Sequence, residues 1–244
     1  MSLTALAEAI EATRYDVLST DLFDTVLLRD QTIESGRLAS ACRRSAARLG
    51  VDPAALTRLR WSLQGIAYRA VTIERPEAEA SLSAICRTMS TALGLSEGAA
   101  RDLQQTEVVV DIEHLHPNRP LLELLDRVRR SGTRVIAVSD TYLDQADLHR
   151  ILDSVLGAHP IAAVYSSADL GVTKHRGGVF AAVAEQENIP AERILHVGDN
   201  YQVDVRMARH AGWHAVHLPR HRSDQVKKNL GKVLALPTKM GTAR

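Results

Sequence analysis

From Leu121 to Leu218 the sequence alternates helix-length amphipathic stretches with short apolar runs, and this alternation leaves the chain few architectures. A helix over Leu121–Arg130 stops at Ser131-Gly132 and leads into Arg134-Val135-Ile136-Ala137-Val138. Such a continuous apolar run suits a strand buried on both faces of a parallel sheet. The pattern then predicts helix 144–156, strand 161–166, helix 177–187, strand 193–198, helix 201–211 and strand 214–218. Residues 14–20 read as a further strand, ending on Asp21. Strands separated by helices of this length form βαβ units, which implies an α/β fold on a Rossmann-like parallel sheet.

Between these two parts lies a block of different character. Arg37–Leu49 reads as one helix stopped by Gly50, and Asp52-Pro53 supplies an N-cap with proline at the first helical position for a second, running to about Val71. A third spans Glu77–Leu93, closed by Gly94, and a fourth runs from Ser96-Glu97 to about His114, with Pro117 and Pro120 bracketing its exit. No strand signal stands out between 31 and 117. The expected organisation is an α/β core over 1–30 and 118–218, an all-helical insert over 31–117, and a tail over 219–244.

Composition excludes several classes of function. No apolar stretch approaches the ~18 residues of a membrane span. Met1–Thr13 carries two acids and no base, unlike a secretory signal. Two cysteines, Cys42 and Cys86, far apart and in helical stretches, point to a reduced, cytoplasmic setting. Nine aromatic residues among 244 argue against a surface that stacks nucleic-acid bases. The net charge of +1 hides an asymmetry, because residues 219–244 carry +6 and the remainder −5. That tail reads as a solvated terminus.

Open α/β sheets bind ligands beyond the carboxyl ends of their strands. Four polar clusters fall there: Asp21-Leu22-Phe23-Asp24-Thr25, Ser139-Asp140, Ser166-Ser167 and Gly198-Asp199-Asn200. An Asp at a strand end can act as a carboxylate nucleophile or simply cap a turn. Ser139 can hydrogen-bond an anionic oxygen. Lys174, with Arg176 as its rival, sits in a Gly-rich loop before a helix, where a cation can hold a nucleophile ionised. Asp199 and Asp204, at a strand end and in the following helical turn, can share one hard cation, with Gly198 allowing the sharp turn. His196, in an apolar strand, reads as a hydrogen-bonded core histidine. His114 and His116 read as hinge residues. Trp61 and Tyr68 share one helix face and read as helical core, with a lid over the substrate as the second reading.

In this order, the segments around Asp21, Ser139, Lys174 and Gly198-Asp199 resemble the haloacid dehalogenase (HAD) superfamily, over about residues 14–218. The resemblance implies a sheet order of 5-4-1-2-3 and identifies the helical insert as a cap that covers the site. It implies that Asp21 attacks phosphorus and carries an aspartyl-phosphate. It assigns Mg²⁺ to Asp21, the backbone carbonyl of Phe23 and Asp199, with Asp204 supporting. Ser139 would bind a phosphoryl oxygen and Lys174 would neutralise charge, while Thr25, Asp140 and Asn200 would contact substrate. The implied partner is a small phosphorylated metabolite.

One position departs from the pattern. The family's phosphatases place a second Asp two residues after the nucleophile, where this chain has Phe23. General acid–base help is worth roughly 10²–10⁴ in rate. Asp24, one residue on, is the candidate substitute. A metal-independent 2-haloacid dehalogenase also carries an aromatic residue there, although the Gly198-Asp199 form favours a bound cation. A catalytically weak phosphate- and metal-binding protein is the third reading. Residues 31–117 contain no lysine, which argues strongly against Schiff-base chemistry from a cap lysine.

Overall fold

The computed structural model describes residues 3–219; the basic tail beyond Pro219 lies outside the described residues. The chain opens with α1 (Leu3–Ala12), a helix that the sequence reading did not anticipate, and enters β1 (Val17–Thr20) and β2 (Leu27–Arg29). Four helices follow, α2 (Glu34–Leu49), α3 (Pro53–Glu74), α4 (Leu82–Ala92) and α5 (Glu97–Glu113), then β3 (Leu115–Pro117). The alternating part comprises α6 (Arg119–Arg130), β4 (Arg134–Ser139), α7 (Gln145–Leu156), β5 (Ala163–Ser166), the short α8 (Ser167–Leu170) and α9 (Gly178–Glu187). It ends with β6 (Ile194–Gly198), a π-helical turn over Tyr201–Arg206 that continues into α10 (Met207–His210), and β7 (His214–His217).

Five strands form one parallel sheet in the order β5-β4-β1-β6-β7. Numbered along the core and read from the other edge, this is the expected 5-4-1-2-3. β1 lies at the centre, paired with β4 and β6, and all four of its residues are buried. Its alternate side chains feed opposite faces, as the two-residue period of a strand requires. Leu18 joins an apolar cluster with Val135 and Leu195, whereas Val17 joins Ile136, Phe180 and Trp213 on the other side.

Register places the functional strand ends side by side. Thr20 pairs with Ala137 on β4 and Val197 on β6, and the Asp21 N–H continues the ladder by donating to the Val197 carbonyl at 2.7 Å. Asp21 therefore leaves the sheet between the ends of β4 and β6.

The helical stretch follows the sequence signals at most of its boundaries. Gly50 closes α2 in the left-handed conformation, φ 67°, and Asp52 caps α3 by accepting from the Ala55 N–H at 2.7 Å. Two expectations need correction. The third helix begins at Leu82 rather than Glu77, because Ser81 supplies the cap, accepting from the Ala84 N–H. Residues 31–117 also contain a strand, since β3 pairs antiparallel with β2, Arg29 opposite Leu115. This three-residue ladder is too short to show a period. It joins the points where the chain leaves for the helices and returns from them.

Two buried ion pairs tie the helices together. Arg60 on α3, 1% exposed, donates through both Nε and a terminal nitrogen to Glu107 on α5, at 2.9 and 2.6 Å. Arg37 on α2 donates to Asp111 at 2.7 Å. Cys42 and Cys86 are buried free thiols in the adjoining core. No helix of the described residues is long and apolar enough to cross a membrane.

Candidate active site

A cavity of about 340 Å³ opens above the carboxyl ends of β1, β4 and β6. Asp21, Phe23, Asp24, Ser139, Lys174 and Asp199 line it. The sequence put them at separate strand ends and loops, and the parallel register gathers them.

The floor is a chain of charges around a buried lysine. Lys174 is 1% exposed, and its Nζ donates to Asp21 Oδ1 at 2.6 Å and to Asp204 Oδ1 at 2.7 Å. Burying an ammonium is tolerable only with such partners. Burial alone would lower Lys174, but the two carboxylates outweigh it and hold its pKa above the usual lysine range. Burial would raise Asp204, yet Lys174 and His196 prevail and keep it ionised. Burial pushes Asp21 up to about 7, with the charges of Asp204 and Asp199 adding to the rise and Lys174 opposing it.

One cation is therefore shared among too many carboxylates. Oxygen atoms of Asp21, Asp199 and Asp204 lie within 4.8 Å of one another. Seven carboxylate side chains line the cavity against three basic ones, Arg29, Arg37 and Lys174. A hard divalent cation fits this oxygen-only donor set and would relieve the charge that lifts Asp21.

Local structure explains how these groups are held. Thr25 is buried and its Oγ1 donates to Asp21 Oδ2 at 3.0 Å, so each oxygen of Asp21 accepts one bond. Asp140 accepts from the N–H groups of Lys174 and His175, at 2.6 and 3.0 Å, and so fixes the lysine loop. Asn200 Oδ1 caps the turn that follows it, accepting from the Gln202 and Val203 N–H groups. Its own N–H donates to Asp204 Oδ2 at 2.9 Å. Asp140 and Asn200 also border the cavity, whereas Thr25 does not. Arg176 is exposed and outside the cavity lining.

His196 is fully buried behind the carboxylates. Its Nδ1 meets the Ser19 hydroxyl at 2.8 Å and its Nε2 lies 3.4 Å from Asp204 Oδ1. Burial keeps its pKa below the usual histidine value, so it supports Asp204 as a neutral ring. Ser166 and Ser167 are buried and hydrogen-bond the 141–143 loop instead of facing the cavity.

A profile of haloacid dehalogenase-like hydrolases matches residues 15–212. The chain belongs to this family. Its fold is shared by a 2-haloacid dehalogenase from Pseudomonas syringae pv. Tomato DC3000, with a TM-score of 0.58, 19% identity, and coverage of 91% of this chain and 98% of that one. A HAD family enzyme, bt-2542 from Bacteroides thetaiotaomicron, aligns with a TM-score of 0.57 at 11% identity, over 88% and 98% of the two chains. The magnesium-bound structure of YfnB from Bacillus subtilis, a provisionally assigned HAD-hydrolase, aligns with a TM-score of 0.52 at 19% identity, over 84% and 89%. A comparison with curated proteins finds no match.

This HAD-like hydrolase brings further residues to the cavity that the sequence did not mark. Arg29 at the end of β2, Glu34 and Arg37 on α2, and Glu79 before α4 all line it. Tyr68 lines it as well and is 39% exposed, which favours the lid reading over helical core for this residue. Burial raises the pKa of Glu79, although the neighbouring Tyr68 opposes the rise. Asp24 adopts a left-handed φ of 64° and lies 3.9 Å from Arg29. Nothing in residues 29, 34 or 79 signals these positions locally; only the folded arrangement of β2 and α2–α4 at the strand ends does.

Proposed function

We propose that this hydrolase is a Mg²⁺-dependent phosphatase of a small phosphorylated metabolite, acting through an aspartyl-phosphate on Asp21. The observation that carries the reading is the oxygen cluster of Asp21, Asp199 and Asp204 beside buried Lys174. A metal-independent dehalogenase has no need for such a donor set.

In this reading an Asp21 carboxylate oxygen attacks phosphorus, and the bond to the leaving oxygen breaks with its electron pair. Thr25 and Lys174 orient Asp21, and the ammonium offsets charge on the transferred group. Ser139 hydrogen-bonds a phosphoryl oxygen. Bound Mg²⁺, held by Asp21, Asp199 and the Phe23 carbonyl with Asp204 in support, would supply positive charge to the phosphoryl oxygens. Phe23 has no proton to give, so the leaving oxygen takes one from water or from Asp24. Water then attacks the phosphorus of the acyl phosphate and releases phosphate, restoring Asp21. Helices α2–α5 act as the cap that closes over the substrate. The protein works in a reducing cytoplasmic setting, consistent with its two free thiols.

Hydrolytic dehalogenation through Asp21 is the second reading, favoured only by Phe23. A panel of phosphate monoesters and 2-haloacids, with and without Mg²⁺, on wild type and Asp21→Asn separates the two. The phosphatase reading expects metal-dependent phosphate release that the variant loses. Metal-independent halide release would overturn it. Silence on both panels with measurable Mg²⁺ affinity would leave a binding protein.

A further inference from the structure

Three basic side chains line the cavity, and two are already committed. Lys174 is held between Asp21 and Asp204. Arg37 donates from Nε to Asp111 at 2.7 Å and from a terminal nitrogen to the Thr32 carbonyl at 2.6 Å. Arg29 is placed differently. Its guanidinium lies over the Phe23 ring, 4.4 Å from the centroid. Its approach to Asp24, at 3.9 Å, is an ion pair beyond hydrogen-bonding distance. Its Nε is buried and hydrogen-bonds to no described residue.

Buried donors without acceptors are rare in folded proteins, and each one calls for a partner. A guanidinium is a planar fork that pairs best with two oxygens of one anion. The cation–π contact with Phe23 restrains this side chain in advance, which lowers the entropy lost when a ligand docks. The side chain is 23% exposed and lines the cavity in contact with Phe23 and Asp24. Its side-chain contacts thus differ from those of Lys174, which holds Asp21 and Asp204.

We propose that Arg29 is a specificity-determining residue that holds an anionic group on the leaving portion of the substrate. The preferred substrates are phosphate monoesters that carry a second anion, either a carboxylate or another phosphoryl group. This rests on the phosphatase reading and names the substrate class of the same site. A neutral or cationic leaving portion would leave the Arg29 fork unmet and would gain nothing from it.

The test compares four esters of similar size in Mg²⁺: ethyl phosphate, phosphoethanolamine, phosphoglycolate and ethane-1,2-diyl bisphosphate. Each is assayed on wild type, Arg29→Met and Arg29→Lys. Wild type is expected to favour one or both doubly anionic esters over ethyl phosphate by about 10- to 100-fold in kcat/KM, the usual worth of a charge-assisted pair. Arg29→Met, which keeps an unbranched apolar side chain, is expected to erase most of that ratio, and Arg29→Lys to keep part of it. Because the readout is a ratio within one preparation, a poorly folded variant lowers every rate alike and leaves it unchanged. The phosphoglycolate and bisphosphate arms tell a carboxylate from a second phosphoryl group. No wild-type preference for either, or a preference that survives in Arg29→Met, overturns the proposal. Should none of the esters turn over, the phosphatase reading fails separately. Calorimetric binding of phosphoglycolate and ethyl phosphate then decides on Arg29 alone. Tighter phosphoglycolate binding that Arg29→Met loses supports the contact, and equal or absent binding rejects it.

Discussion

Gly198 and Asp204 pack so closely that a Cβ on Gly198 would fall 2.3 Å from the Asp204 carboxyl carbon. The glycine is therefore required by the approach of a side chain, not by a left-handed backbone. Gly198→Ala must displace the carboxylate that Lys174, His196 and Asn200 all hold. Overpacking of this kind costs about 1–3 kcal/mol. A shift of the supporting carboxylate should also lower Mg²⁺-dependent turnover by about 10²-fold. Thermal melts and steady-state rates measure the two effects. Wild-type rates in a stably folded variant would show that Asp204 does not position the site.

Lys174 sits between two buried carboxylates, so its removal leaves both without their cation. Lys174→Met should lower stability by about 3–5 kcal/mol in metal-free buffer. A divalent cation bound only by the folded state adds stability by mass action. Mg²⁺ should therefore raise the melting temperature of the variant by more than it raises that of wild type. Equal shifts in the two proteins would count against a cation beside these carboxylates.

The positions of Asp21, Ser139, Lys174 and Asp199 were legible because each follows a short apolar strand or precedes a helix, a context that nearby residues specify. The strand order followed from the resemblance, while the helix ends at Gly50 and Asp52-Pro53 followed from local capping chemistry. Long-range pairings were not legible. Arg60 and Glu107 stand 47 residues apart, and each reads alone as an ordinary charge on a solvated helix face. The β2–β3 ladder has three residues a side and joins distant segments. Glu79 reaches the cavity through the segment between α3 and α4, and Arg29 from the end of β2, neither of which has a local sequence signal. Thr25 and Asn200 read as substrate contacts; in the fold Thr25 hydrogen-bonds Asp21, and Asn200 caps the turn after β6 while bordering the cavity.

Phe23 stands where a proton donor would serve the leaving oxygen. Phe23→Asp should speed release of phosphate from unactivated alkyl esters by about 10-fold or more, part of the 10²–10⁴ that acid–base help supplies. The gain should shrink for p-nitrophenyl phosphate, whose leaving group needs no proton. The same substitution removes the stack under Arg29, so rates on doubly anionic esters should gain less than those on ethyl phosphate. An equal gain on activated and unactivated esters would indicate a change in binding rather than in proton transfer.

Asp147, in the first turn of α7, is buried with Gln104 as its hydrogen-bond donor at 2.7 Å. Burial pushes its pKa up to about 6, helped by Asp144 and Glu107 and opposed by the Gln104 bond and Arg150. An unfolded Asp titrates near ~3.9, so between about pH 4 and pH 6 the folded protein holds this proton more tightly. Stability from this group is therefore greatest below pH 4 and declines as pH rises, levelling off above about pH 6. A two-unit difference sets an upper bound of about 3 kcal/mol on that decline. Asp147→Asn keeps an acceptor for Gln104 and removes the charge. The variant should melt higher than wild type at pH 7, by an amount worth about 1–3 kcal/mol, and the advantage should fade towards pH 4. Melting curves collected from pH 4 to pH 7 read this directly. Parallel curves for the two proteins would mean that Asp147 is not the group whose ionisation weakens the fold.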